Sequence, residues 1–144
     1  MNAALPVLLF LGLSCLSLGL SADTRQGGNH GRLFDERSGL TWTDTSAPRG
    51  LSWSEGVRYC SSLSDTNTVW RLPSIDQLAT LYQAEAPRRC GSNLCHLALP
   101  VVLGSPYVWS RSIPGGQRRT YYDFRHGTRL SPQIRPDLRR QVLC

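Results

Sequence analysis

The chain has 144 residues, of which 40% are hydrophobic and 18% charged, and its formal net charge at pH 7 is +6. This length allows one domain with a real hydrophobic core and leaves too little chain for two. The chain contains no lysine and 16 arginines. Guanidinium groups make bidentate contacts with carboxylate, sulfate or phosphate groups, so an acidic ligand is one interpretation of the composition.

The first residues are typical of an export signal. Residues 3–22 contain no charged side chain and end in Leu-Ser-Ala before Asp23. An uncleaved membrane anchor is the alternative, because this apolar run approaches spanning length. We therefore expect a signal peptide over residues 1–22, a flexible polar and Gly-rich leader over 23–31, and one domain over 32–144 in a periplasmic or secreted protein.

The domain begins with two predicted strands, Leu33–Asp35 and Leu40–Thr43, joined by a turn at Arg37-Ser38-Gly39. A first helix is predicted over Ser52–Leu63, where Ser52 and Glu55 form a capping box ahead of a helical apolar period.

The sequence Trp70-Arg71-Leu72-Pro73 predicts a sharp corner into a second helix. Pro73 pushes Leu72 toward an extended conformation. Ser74 and Gln77 then form a second capping box, and the apolar residues Ile75, Leu78 and Leu81 follow on one helical face.

A long loop is predicted from Ala86 to Pro106, and a strand meander follows it. The predicted strands are Tyr107–Ser112, Thr120–Arg125, Arg129–Ile134 and Arg140–Leu143. Because the strands cluster and do not alternate with the helices, the pattern excludes a parallel doubly wound sheet. It predicts an α+β fold, with two helices packed on a small antiparallel sheet.

The positive charge is concentrated at the end of the chain. Residues 23–110 carry equal numbers of arginines and acids, whereas residues 111–144 carry eight arginines against Asp123 and Asp137. Either this cluster binds an anion or it reflects coding bias on a solvated surface. The candidate ligand-binding residues are Arg111, Arg118, Arg119, Tyr121, Arg125 and Arg129.

Strand alternation sends Arg119, Tyr121, Asp123 and Arg125 to one face, which could stack on sugar rings and pair with acidic groups. The alternative is that this is an ordinary solvated face opposite a core side. If the cluster is functional, its turns should bring the arginines at 118, 119, 125 and 129 together.

Four cysteines follow the signal, at positions 60, 90, 95 and 144, and export favours their oxidation. Four cysteines allow three pairings. Cys90, Cys95 and His96 are also the best metal candidates, but thiolate ligation would need reduced cysteines, so a short-loop disulfide between Cys90 and Cys95 is the preferred interpretation.

Five short motifs in order resemble the Lcl C-terminal domain family. That family is a bacterial exported domain of unknown function with a C-type-lectin-like fold related to sulfatase-modifying-factor domains. The resemblance covers residues 32–144, although Gly56 stands where Ala is usual. The motifs are Gly39-Leu40 with Trp42, Trp53 with Tyr59-Cys60, Trp70-Arg71-Leu72-Pro73 with Leu78 and Leu81, Tyr107 with Trp109-Ser110, and the terminal Cys144.

The resemblance implies a disulfide between Cys60 and Cys144 and a core that contains Trp42, Trp70 and Trp109. It also implies that Arg71 and Pro73 belong to a structural corner, with Arg71 bonded to nearby carbonyls or to a carboxylate.

No signature of an enzyme stands out. The chain lacks a nucleophile elbow, a phosphate-binding loop and a zinc-protease motif, and nothing reproduces the active site of the sulfatase-modifying factors.

We expect a non-catalytic binding module without metal or cofactor, for an anionic polysaccharide or envelope glycan. The alternatives are a protein-interaction or envelope-assembly component and, third, an enzyme of sulfatase-modifying-factor type. Export argues against nucleic acid as a partner, and no membrane contact beyond export is expected.

Overall fold

The computed structural model describes residues 31–112, 119–131 and 137–144. Within these ranges the fold is α+β, with two helices, three small antiparallel sheets and two disulfides. No helix among the described residues is long and apolar enough to cross a membrane. The predicted signal peptide lies outside them. The elements are β1 Arg32–Asp35, β2 Leu40–Thr43, α1 Trp53–Ser62, α2 Ile75–Thr80, β3 Tyr82–Cys90, β4 Asn93–Leu97, β5 Tyr107–Trp109, β6 Tyr121–Asp123 and β7 Thr128–Leu130.

Both predicted capping boxes are present. At the start of α1 the Glu55 amide donates to the Ser52 hydroxyl at 3.3 Å, and the Ser52 amide donates to the Glu55 carboxylate at 2.8 Å. The hydrogen bond from that amide is the main reason why the pKa of Glu55 falls to about 2. Ser74 and Gln77 form the same pair of bonds at the start of α2, at 3.1 and 2.8 Å. Local sequence therefore sets where both helices begin.

The turn between β1 and β2 is held by a buried carboxylate. One oxygen of Asp35 accepts from the Arg37 amide at 3.1 Å, and the other accepts from the Ser38 hydroxyl at 2.7 Å. The Gly39 amide donates to the Asp35 carbonyl at 2.8 Å, with Gly39 at a φ of 69°. Only Gly adopts that left-handed conformation at little cost.

The turn between β6 and β7 repeats this arrangement with the pattern Asp-x-Arg-x-Gly. The Arg125 amide donates to Asp123 at 2.9 Å, the His126 Nδ1 lies 3.0 Å from the other oxygen, and Gly127 has a φ of 66°. The sequence predicts a turn at each place, at Arg37-Ser38-Gly39 and at His126-Gly127, but the matching hydrogen bonds show that the two turns share one pattern.

The predicted loop from Ala86 to Pro106 is wrong over its first half. β3 and β4 form an antiparallel hairpin there, and the Cys90–Cys95 disulfide closes it with the two Cα atoms 5.8 Å apart. Most β3 side chains are exposed, and the register shifts between Tyr82 and Pro87. The hairpin therefore lacks the alternating hydrophobic pattern from which a strand is recognised.

The predicted meander is present as the sheet β5-β6-β7, with each strand shorter than expected. Residues 132–134 of its third predicted strand lie outside the described residues. The predicted last strand, Arg140–Leu143, is not formed as a continuous strand. It contributes single bridges, from Arg140 to Leu51 and from Gln141 to Val108.

The Cys60–Cys144 disulfide ties α1 to the C-terminal segment, as the family resemblance implied. The two Cα atoms are 5.5 Å apart across a sequence separation of 84 residues. Both cysteines are buried.

Two hydrophobic clusters cover the two faces of β6. Tyr122 packs in one with Trp42, and Tyr121 packs in the other with Trp70 and Trp109. All three tryptophans are buried, as expected. Tyr121 is only 8% exposed, which corrects the expectation that its side of the strand is a ligand or solvent face. Val142 and other residues of the second cluster cover that side, which strand alternation alone could not reveal.

Candidate functional site

The Trp70–Pro73 corner forms one wall of a cleft. Trp70 and Leu72 are buried whereas Arg71 between them is exposed, as the alternation of an extended segment requires. The Arg111 amide donates to the Pro73 carbonyl at 2.7 Å, so the segment after β5 is held against the corner. Backbone contacts thus bring two arginines, 40 positions apart in the sequence, to the same cleft.

The cleft has a volume of 280 Å³. Its lining mixes aromatic and aliphatic surface with hydrogen-bond donors, and no acidic side chain is among the described residues that line it. A cleft of this kind favours a ligand that supplies acceptors and negative charge. The lining residues are Leu40, Thr41, Trp42, Val69, Trp70, Arg71, Pro73, Gln77, Arg111 and Cys144.

The guanidinium groups of Arg71 and Arg111 are both free to bind. Both residues are exposed, and neither side chain has a hydrogen bond or ion pair with any residue that the structure describes. This differs from the expectation that Arg71 bonds to nearby carbonyls or a carboxylate, because the corner turns its side chain outward. Two unpaired guanidinium groups at one cleft repel each other, and an anion between them would relieve that repulsion.

Two further lining residues carry donors that are not used internally. Trp42 is 1% exposed, and within the described part of the chain its indole Nε1 has no hydrogen-bond partner. Gln77 uses its Oε1 to accept from the Ser74 amide, which leaves its amide nitrogen for other contacts. The capping box thereby fixes the orientation of a side chain that lines the cleft.

Two of the arginines predicted to bind a ligand are paired within the protein. The Arg129 Nη1 lies 2.6 Å from the Asp76 Oδ1, and the Arg125 Nε lies 3.3 Å from the Asp123 Oδ1. Arg125 also hydrogen-bonds the Tyr107 hydroxyl. Burial acts to raise the pKa of Asp123, but hydrogen bonds from His126 and Arg125 outweigh it and hold the pKa below its usual value.

The guanidinium of Arg119 lies 4.8 Å from the centre of the Trp53 ring. Arg140 stacks on Tyr121 at 4.7 Å, so the tyrosine proposed for sugar stacking is covered by this chain's own guanidinium. Arg118 lies outside the described residues. The arginines 119, 125 and 129 therefore each have a different internal partner, and Arg111 is the one member of the predicted set among the described residues that lines the cleft.

Sequence reasoning missed Arg71 and Gln77 as site residues because both were assigned structural roles. The buried-exposed-buried order of Trp70, Arg71 and Leu72 was the available signal, since an extended segment with two large apolar residues turns the residue between them outward. What it could not supply was Arg111 as the neighbour across the cleft.

No group of three or more His, Cys, Asp or Glu side chains within residues 31–112, 119–131 and 137–144 could hold a metal ion. Cys90 and Cys95 are joined to each other in the disulfide. The chain matches no protein-family model, no curated protein and no solved structure.

Proposed function

We propose that this chain is an exported, non-catalytic binding module with a C-type-lectin-like fold, akin to the Lcl C-terminal domain family, that holds an acidic group of a polysaccharide or other envelope glycan. The observation that carries the proposal is the cleft lined by Arg71 and Arg111. Among the described residues, neither guanidinium group has a partner and no acidic side chain lines the cleft.

Two features support the fold and the compartment. Two helices with small antiparallel sheets, and a disulfide from α1 to the C-terminal segment, are the arrangement that the family resemblance implies. Disulfides form and persist in oxidising compartments outside the cytoplasm, so the two in this chain support export.

The size and chemistry of the cleft support a small acidic group as the bound part. Its 280 Å³ lies near the lower end of the range for small-ligand sites, about 300 to 1,000 Å³, which suits one sugar ring better than several. The guanidinium groups of the two arginines match the planar oxygens of a carboxylate. The aliphatic surface of Val69 and Pro73 suits the C–H groups of the sugar ring.

A glycan array tests the proposal. The array carries carboxylated, sulfated and neutral glycans and is probed at about 0.1 M and about 1 M salt, because the electrostatic screening length falls from about 10 Å to about 3 Å between these conditions. Acidic glycans should bind and should be released at high salt. Arg71→Gln combined with Arg111→Gln should weaken binding at least about 10-fold, since hydrogen bonds to charged groups contribute about 1.5 to 3 kcal/mol.

Arg49→Gln combined with Arg58→Gln is the matched control. Both residues are exposed, neither lines the cleft, and neither has a side-chain partner in the part of the chain that the structure describes. The control removes the same charge, so an equal loss of binding would mean that net charge alone attracts the glycan. Absence of any acidic glycan binding would overturn the proposal, and salt-insensitive capture of one protein would favour the envelope-assembly alternative.

A further inference from the structure

An exposed aromatic side chain lies beside the cleft. Phe34 of β1 is 61% exposed, and in the register of the hairpin it stands directly across from Thr41 of β2. Residues opposite each other in an antiparallel pair share one face, with their Cβ atoms about 4.5 to 5.5 Å apart. Because Thr41 lines the cleft, Phe34 lies one strand away from it.

A second contact links the same face of β1 to the cleft. Arg32 precedes Phe34 by two residues and therefore projects to the same side of the strand. Its guanidinium lies 5.8 Å from the centre of the Trp70 ring, and Trp70 lines the cleft. Arg32 is held there by an ion pair with Asp65 at 3.0 Å, so it acts as a support beside the cleft.

The exposed apolar surface continues on the cleft wall itself. Val69 is 72% exposed and lines the cleft next to Trp70. A pyranose ring has one face of C–H groups that packs on aromatic and aliphatic side chains, whereas its hydroxyl groups stay in water. Phe34 thus offers a platform for a sugar ring that lies outside the cleft.

We propose that the cleft and Phe34 are adjacent subsites for a polymer, with an acidic sugar between Arg71 and Arg111 and the next ring stacked on Phe34. The inference rests on the proposed function and adds a second subsite, so that the bound ligand spans at least two neighbouring rings of the acidic glycan. Charge complementarity selects the acidic ring, and the aromatic platform gives affinity for a neighbouring ring of any charge.

Calorimetric titration with glucuronic acid and with hexasaccharides of hyaluronan and heparin tests this arrangement. At least one hexasaccharide should bind more tightly than the monosaccharide. Phe34→Thr keeps a strand-forming residue opposite Thr41 and should weaken hexasaccharide binding about 2- to 10-fold, with monosaccharide binding unchanged. Phe34→Tyr should restore it.

Leu94→Ala is the matched control, because Leu94 is 52% exposed and does not line the cleft. It should leave all three affinities unchanged. If the monosaccharide binds and depends on Arg111, but Phe34→Thr has no effect on either hexasaccharide, the Phe34 subsite is wrong while the cleft stands. If none of the three acidic probes binds, both the proposed function and this inference fail.

Discussion

Cys60 on α1 is bonded to Cys144, and this disulfide spans 84 positions of the chain, whereas the Cys90–Cys95 disulfide spans 5. A crosslink stabilises chiefly by restricting the unfolded chain, and the restriction grows with the length of the closed loop. Replacing Cys60 and Cys144 with Ala should lower the free energy of unfolding by about 4.5 kcal/mol, and the same change at Cys90 and Cys95 by about 2. Urea denaturation measures both, and an equal or larger effect of the short disulfide would contradict the loop-length argument.

The buried carboxylate of Asp123 should make part of the stability depend on pH. Its pKa is lower in the folded protein than in the unfolded chain, so its contribution is complete above the unfolded value of about 3.9 and disappears as the pH falls through the folded value. Asp123→Asn should lower the free energy of unfolding by about 1.5 to 3 kcal/mol at pH 7 because it weakens the bonds from Arg125 and His126.

The free energy of unfolding of Asp123→Asn should lie below that of the wild type. As far as this carboxyl is concerned, the difference should stay constant from about pH 5 upward and should become smaller below about pH 4. Glu36→Gln is the control, because Glu36 is exposed in the other Asp-x-Arg-x-Gly turn. This substitution removes the same charge but does not affect the hydrogen bonds from Arg125 and His126. Denaturation at a series of pH values provides the comparison. A difference that stays the same at pH 3 would show that the carboxylate charge is not what stabilises the turn.

The two Asp-x-Arg-x-Gly turns separate two contributions to the free energy of unfolding. One is the strain of a left-handed backbone at a residue other than Gly, and the other is a steric clash of the added Cβ. A Cβ added at Gly39 meets nothing within 4 Å, whereas one added at Gly127 would lie 2.7 Å from the Tyr82 ring. Gly39→Ala should therefore cost only the conformational strain of about 1 to 2 kcal/mol. Gly127→Ala should cost at least about 1 kcal/mol more. Thermal and urea unfolding of the two variants test the ranking, and equal costs would mean that the Tyr82 ring moves aside freely.

Gly56 on α1 is required by close packing. A Cβ at this position would lie 2.8 Å from the Val142 Cγ2, and both residues are buried. Alanine gains about 1 kcal/mol of helix propensity over glycine, but overpacking costs about 1 to 3. Gly56→Ala should therefore destabilise by up to about 2 kcal/mol in the wild type and become neutral or stabilising in a Val142→Ala background. A stabilising Gly56→Ala in the wild type would show that the C-terminal segment adapts to the added methyl group.

The elements that the sequence predicted correctly are those whose signals are local. A capping box joins residues three positions apart, so Ser52 with Glu55 and Ser74 with Gln77 located both helices without any knowledge of the fold. The alternation and turn residues of β1 and β2 likewise lie within a few positions. The Cys60–Cys144 pairing is different, because it came from a resemblance and not from local chemistry.

Contacts between distant segments decided the rest. The β3–β4 hairpin has few buried side chains, so its strands depend on the pairing of the two segments and on the Cys90–Cys95 bond. Arg129 forms an ion pair with Asp76 from α2, and Tyr121 is covered by Arg140 from the C-terminal segment. Whether an arginine is free or paired depends on which carboxylates the fold brings within about 4 Å, and sequence spacing does not contain that information.

By itself, the sequence predicted an α+β fold with two capped helices, an excess of arginine and four cysteines after residue 22 that could form disulfides. The tertiary structure decided which of those arginines meet a carboxylate and which do not. The hydrogen bond from the Arg111 amide to the Pro73 carbonyl brings Arg111 to the same cleft as Arg71, where neither guanidinium group has a partner among the described residues. A guanidinium group binds a ligand only where internal carboxylates do not already satisfy it, and that condition is set by packing between segments far apart in the chain.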